Sequence, residues 1–160
     1  MRIRRAKRRR ENKTDYKARF NLLKSNLPRL VVRKTNKYII AHIVESKEAQ
    51  DKTVAYFNSK GLKKYSWPIT FKNLAAAYLT GFVLGKKYKK TGKVILDLGL
   101  QRSTKGSRIY AVVKGIKDAG VGILCEEKIL PTDQRVYMEY KNKKIKEIIE
   151  TIKKELGKNG

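Results

Sequence analysis

Apolar positions change their spacing several times along the chain, and each change predicts an element. From Thr14, read as an N-cap with Asp15 in the first turn, Tyr16, Phe20 and Leu23 share one helical face, and Pro28 ends that helix. Arg29–Lys34 (RLVVRK), a turn at Thr35, Asn36 and Lys37, and residues 38–45 (YIIAHIVE) carry the branched and aromatic side chains of a β-hairpin. After a polar turn at residues 47–52, residues 53–57 (TVAYF) predict a third strand at the sheet edge. The period then shifts to helical. Leu74, Tyr78, Phe82 and the alanines between them describe an apolar face running into Lys86, Lys87, Lys89 and Lys90, with Gly92 as the stop.

Residues 94–98 (VILDL) form a short, nearly all-apolar run, the pattern of a strand buried on both faces. Beyond the loop of residues 99–106, Ser107 is positioned to cap a helix in which Ile109, Val112, Val113 and Ile116 share a face, ending at Gly120. Ile145, Ile148, Ile149, Ile152 and Leu156 make a stripe within residues 140–156, with Glu150 and Lys154 paired four apart, so an amphipathic C-terminal helix is expected, packed on its own domain. The fold class is α/β (α+β): a mixed sheet of three antiparallel strands plus one parallel strand, reached by a right-handed crossover, with helices packed on it. Three regions follow: a basic tail at 1–13, a globular domain at 14–122 and an extension at 123–160.

Charge changes this picture from a generic domain to one with a polyanionic partner. The 160 residues hold 40 Lys or Arg against 14 Asp or Glu, a formal +26, far more than solubility requires. Residues 1–37 alone carry fifteen basic and two acidic side chains. Residues 1–10 (MRIRRAKRRR) lack periodicity and repel themselves, so alone they are expected to be disordered until phosphates neutralise them. A single Cys excludes an internal disulfide framework and points to a reducing compartment, and one Cys with one His argues against a zinc site. The longest uncharged apolar stretch, 74–85, is too short to span a bilayer. No apolar segment follows the basic start, which argues against a secretory signal; an Arg-rich transit peptide is the lesser reading.

The loop GLQRSTKGSR, residues 99–108, lies between an apolar strand and a helix N-terminus, where free N–H groups favour an anion. Arg102, Lys105 and Arg108 add charge, Ser103, Thr104 and Ser107 add hydroxyl donors, and Gly106 permits close approach, so the loop reads as a phosphate cradle, with an ordinary polar connection as the alternative. Neither the Walker A order nor Gly-x-Gly-x-x-Gly is present. Catalysis has little support: Asp97 is the strand's only carboxylate, His42 has no evident nucleophilic partner, and Cys125 has no activating neighbour. At the hairpin, Lys34, Asn36, Lys37 and Tyr38 interleave cations with an amide and an aromatic, which suits unpaired RNA.

Three blocks, residues 8–19 (RRRENKTDYKAR), 73–87 (NLAAAYLTGFVLGKK) and 96–121 (LDLGLQRSTKGSRIYAVVKGIKDAGV), together with PRLVVRKTNKYIIAHIV between them, resemble the archaeal and eukaryotic branch of the eighteenth large-subunit ribosomal protein family, a 5S rRNA-binding family. The similarity spans residues 5–136. It implies a component of the central protuberance that contacts 5S rRNA, large-subunit rRNA and neighbouring ribosomal proteins, in a ribonuclease-H-like arrangement with neither catalytic role nor cofactor. Residues 123–140 lack the family's Ile-Pro-His-Ser run, and the lysine-rich residues 141–160 fall outside the shared pattern. The expected RNA contacts are Arg2, Arg4, Arg5, Lys7, Arg8, Arg9, Arg10, Lys13, Tyr16 and Arg19, then Arg33 with the hairpin tip, then the Arg102 to Arg108 loop. An enzyme acting on nucleic acid through a ribonuclease-H-like core and a general packaging protein are the competing readings. The first requires acidic neighbours around Asp97; the second requires no preference for folded RNA over duplex DNA.

Overall fold

A computed structural model describes residues 7–11, 13–48, 50–90, 92–137 and 144–158. In chain order the elements are α1 (Lys7–Arg10), α2 (Tyr16–Lys24), β1 (Arg29–Lys34), β2 (Ile39–Lys47), β3 (Gln50–Asn58), a 3-10 helix (Ser59–Tyr65), α3 (Leu74–Lys87), β4 (Lys93–Asp97), α4 (Arg108–Asp118), β5 (Gly122–Ile123), a 3-10 turn (Glu127–Ile129), α5 (Asp133–Val136) and α6 (Lys144–Lys158). No described helix is long and apolar enough to cross a membrane.

The sheet order is β3-β2-β1-β4-β5. β1, β2 and β3 are antiparallel neighbours, and β4 lies parallel to β1. The mixed α/β reading therefore holds, with β3 at one edge as the pattern predicts. Two parts of that reading need correction. A second parallel strand, β5, flanks β4; its two residues are too few for a periodic signal. β3 also begins three residues earlier than the pattern implies, because pairing of Gln50, Asp51 and Lys52 with the end of β2 carries the ladder through polar residues.

Alternation along the strands assigns one face to the core: Leu30 and Val32 on β1, Ile39, Ala41 and Ile43 on β2, Ala55 and Phe57 on β3, and Val94 on β4 are all buried. α3 and α4 pack on this face. Every residue of α3 from Ala75 to Gly85 is buried, as expected for a helix apolar on all sides. Its glycines make this possible. A Cβ on Gly81 would overlap the Val112 carbonyl of α4, and one on Gly115 would overlap the Tyr78 carbonyl of α3, so the two helix backbones are in direct contact.

The C-terminal helix docks on its own domain. Ile145, Ile149 and Ile152 of α6 are buried in the same apolar cluster as α3, and the Lys153 ammonium lies 4.7 Å from the Tyr78 ring centre and 5.3 Å from that of Tyr137. Lys153 also donates to the Tyr137 hydroxyl at 3.0 Å, and Tyr78 donates to Asp118 at 2.7 Å. Burial and the bond to Asp118 push the Tyr78 phenol far above its ordinary value, which keeps it a donor.

The N-terminal helices depart from expectation. Asp15, not Thr14, is the N-cap of α2: its carboxylate accepts from the Lys17 and Ala18 amides, each at 3.0 Å. Thr14 instead accepts from Arg8 at 2.9 Å, a tie that helps order the turn at Lys7–Arg10, where self-repulsion predicts disorder. The face of α2 that carries Tyr16, Phe20 and Leu23 is not buried. Phe20 is 58% exposed and Tyr16 39%, and Lys24 lies 4.7 Å over the Phe20 ring.

Replacing Gly115 by Ala tests the helix contact. The substitution gains about 1 kcal/mol of helix propensity but forces a methyl into a main-chain carbonyl, and overpacking of this kind costs about 3 kcal/mol or more. The net loss should lower Tm by roughly 4–8 °C. A more stable Gly115→Ala protein in a thermal melt would show that α3 and α4 are not in contact there.

Candidate nucleic-acid interface

On the sheet face opposite α3 and α4, α2 reaches β4, and exposure is greatest toward β3, where Tyr56 is 52% exposed. Period-two alternation in RLVVR sends Arg29, Val31 and Arg33 to this face, beside His42 of β2, Tyr56 of β3 and Asp97 of β4. Arg29, 3% exposed, donates to Asp97 at 3.0 Å, to Asp51 at 2.6 Å and to Ser46 at 3.1 Å. Arg33 donates to the Asp97 carboxylate at 3.0 Å and to its carbonyl at 2.8 Å, and the Gly99 amide adds a bond to the same carboxylate at 2.9 Å. Arg19 of α2 closes the network on Asp51 at 2.7 Å. Burial opposes ionisation of Asp51, but the Ser46 hydroxyl with Arg29 and Arg19 outweighs it and holds the carboxyl below its ordinary value.

This network decides what Asp97 can do. Its two oxygens face two guanidinium groups and an amide, whereas a metal-dependent nuclease needs further carboxylates there. Among the described residues no three His, Cys, Asp or Glu side chains are grouped to hold a metal ion. Asp97 is the anchor of an ion network, orienting Arg33 and turning the chain into the following loop.

Beside this anchor a cleft of about 790 Å3 lies between the N-terminal helices and residues 98–101. Arg8, Lys13, Arg19 and Arg33 all line it, so four of the cations expected at the interface converge there. Lys7 and Arg10 are exposed nearby in sequence, and exposed Lys13 also meets Glu11 at 2.9 Å. Arg2, Arg4, Arg5 and the side chain of Arg9 lie outside the described residues. Tyr16 is exposed on α2.

At the hairpin tip the Thr35 amide donates to the Tyr38 carbonyl at 2.8 Å, and the Tyr38 amide donates to the Thr35 hydroxyl at 2.9 Å. This closed turn presents Lys34, Asn36 and Lys37 to solvent. Tyr38 is half-buried, with its ring 6.1 Å from that of Phe71, so only part of it is available for stacking.

The 99–108 loop keeps its exposed cations but not the full cradle. Arg102, Thr104 and Lys105 are exposed, while the Ser103 hydroxyl is bonded to that of Tyr110 at 2.6 Å. Gly106 is needed for a left-handed turn, φ 65°, yet its buried amide donates to Ile129 at 2.9 Å and so is not offered to phosphate. Ser107 occupies the N-cap position of α4 without making the capping bond, and its buried hydroxyl oxygen has no partner among the described residues. Arg108 donates to the Lys72 carbonyl at 3.0 Å, tying the loop to the start of α3. Arg102, Thr104 and Lys105 are thus the predicted loop ligands that stay exposed and outside these bonds, close to the start of α4.

His42 and Cys125 add no reactive centre. Burial pushes the Cys125 thiol up, away from thiolate. His42 is half-buried, 6.5 Å from the Tyr56 ring, and burial with the positive Arg33 holds its pKa below the ordinary 6.5. The unfolded chain therefore takes up a proton that the folded chain resists just below pH 6.5; the resulting stability is complete above that pH and declines as pH falls through it. Urea midpoints measured between about pH 5 and 7.5 should show this decline, and His42→Asn should flatten it. Identical pH profiles for the two proteins would remove His42 from that role.

Comparison with known proteins agrees with the geometry. A family model described as "Ribosomal large subunit proteins 60S L5, and 50S L18" matches residues 2–93 and 87–126. "Large ribosomal subunit protein uL18" of Korarchaeum cryptofilum is 50% identical over 136 residues, 84% of this chain and 70% of that protein. The protein of the same name from Methanosphaera stadtmanae is 45% identical over 136 residues, again 84% and 70% of the two chains. That from Aeropyrum pernix is 43% identical over 137 residues, 84% and 64%. With a family model and these relatives spanning most of its sequence, and its central carboxylate occupied by arginines instead of arranged for catalysis, the chain belongs to the uL18 family of large-ribosomal-subunit proteins.

Proposed function

We propose that this protein is a structural constituent of the large subunit of the cytoplasmic ribosome, binding 5S rRNA and anchoring it to large-subunit rRNA in the central protuberance, beside neighbouring ribosomal proteins. The observation that carries this reading is the convergence of Arg8, Lys13, Arg19 and Arg33 on one cleft. The exposed Lys34, Lys37, Arg102 and Lys105 extend the same chemistry over the hairpin and the 99–108 loop. The work such a surface performs is phosphate neutralisation and recognition of RNA shape, with few contacts to base edges. This reading is of a binding protein and not an enzyme, in keeping with its membership of a family of large-subunit ribosomal proteins.

Counterion release makes this measurable. With about eight phosphates neutralised, log affinity for 5S rRNA should fall against log salt with a slope of about −6 to −7, and a slope shallower than about −2 would sink the electrostatic account. Removing residues 1–10 should weaken binding steeply while leaving thermal unfolding nearly unchanged, because a segment in which seven of ten residues are basic has little apolar surface to bury. Equal affinity for 5S rRNA and for duplex DNA at the same salt would favour a general packaging role instead.

A further inference from the structure

A second basic surface lies away from the cleft, where β3 runs directly into the 3-10 helix Ser59–Tyr65. Asn58 caps that helix by accepting from the Lys60 amide at 3.0 Å, and fully buried Leu62 fixes it to the core. The three-residue repeat then sets Lys60 and Lys63 on one side, with Lys64 adjacent, and all three are exposed. From the end of α3, Lys87 reaches over the Phe57 ring at 5.0 Å. These side chains rim a cavity of about 630 Å3 whose walls include Tyr56, Phe57 and Tyr65. Gly61 keeps it open, since a Cβ there would stand 3.0 Å from the Phe57 ring.

Two features identify the occupant. Among the described residues none of these four lysines is paired with a carboxylate, although Lys90, Lys114 and Lys117 each are, so the rim is an uncompensated positive ring. The walls are aromatic, and an open recess of this size admits an unpaired base but not a duplex. We propose that it seats a single unpaired nucleotide of the rRNA, its base stacked on the aromatic wall and its flanking phosphates on the lysines. This rests on the rRNA-binding reading above.

The test uses the full chain with 5S and large-subunit rRNA transcripts carrying 4-thiouridine. Ultraviolet crosslinking followed by mass spectrometry should mark Tyr65, which belongs to the cavity and not to the open sheet face. The Lys60→Ala, Lys63→Ala, Lys64→Ala triple variant should make the salt slope shallower by about two units, from about 0.7 per single-strand phosphate contact. Tyr65→Ala should lower affinity about tenfold with the slope unchanged, the signature of a lost stack. Melting curves confirm that each variant is folded. Wild-type binding with no crosslink at Tyr65 and unaltered slopes would overturn the nucleotide site while leaving the rRNA-binding reading intact; failure of the wild-type chain to bind either rRNA would overturn both. A glutamate decapeptide that displaced the RNA as well as a ten-residue oligouridylate would assign the cavity to an acidic protein segment and overturn the proposal.

Discussion

Gly81 and Gly115 let the backbones of α3 and α4 touch, and the use of the sheet follows from that contact. Two helices this close form a single slab over one sheet face. α3, buried along most of its length between sheet, α4 and α6, has no apolar side left for any other surface. Among the described elements, the opposite sheet face is met chiefly by α2, whose two large aromatics are exposed. Stability is concentrated on one side of the sheet. The other side is free to carry a density of positive charge that a two-sided core would not tolerate.

The open side has its own constraint in the buried Arg29. A buried guanidinium must be paired, and Asp97 and Asp51 take its two terminal nitrogens, while Nε has no partner among the described residues. Each carboxylate also holds a more exposed arginine, Arg33 and Arg19 respectively, so on the proposed RNA-binding surface those two cations are already held in place. Such preorganisation reduces the side-chain entropy lost on binding. The same pairing occupies both oxygens of Asp97, at the end of β4, with arginines and an amide, an arrangement that suits an ion network and not a metal-dependent active site.

Much of this was legible in the sequence. Alternation in RLVVRK and YIIAHIVE marked the hairpin, the helical spacing of Ile109, Val112, Val113 and Ile116 marked the inward face of α4, and the Ile145, Ile149 and Ile152 stripe marked α6 as a packed helix. What escaped depends on tertiary geometry. β5 has two residues and exists because β4 offers an edge. Tyr16 and Phe20 have core spacing but sit on a helix that reaches the sheet mainly at β4. Ser107 stands at a cap position, yet its hydroxyl makes no capping bond, and nothing in the structure explains that choice. The pairing of Arg29 with Asp97 joins residues 68 apart, beyond any local pattern, although the alternation that puts Arg29 and Arg33 on one face was in plain view.

The division of labour between the two sheet faces is tested most directly by amide hydrogen exchange of the whole protein with and without bound 5S rRNA. The account predicts added protection in residues 7–24, at the hairpin tip and in the 99–108 loop, with no change in α3 or in the buried face of α4. Protection confined to α6 and the outer surface of α4, with the cleft unaffected, would contradict it.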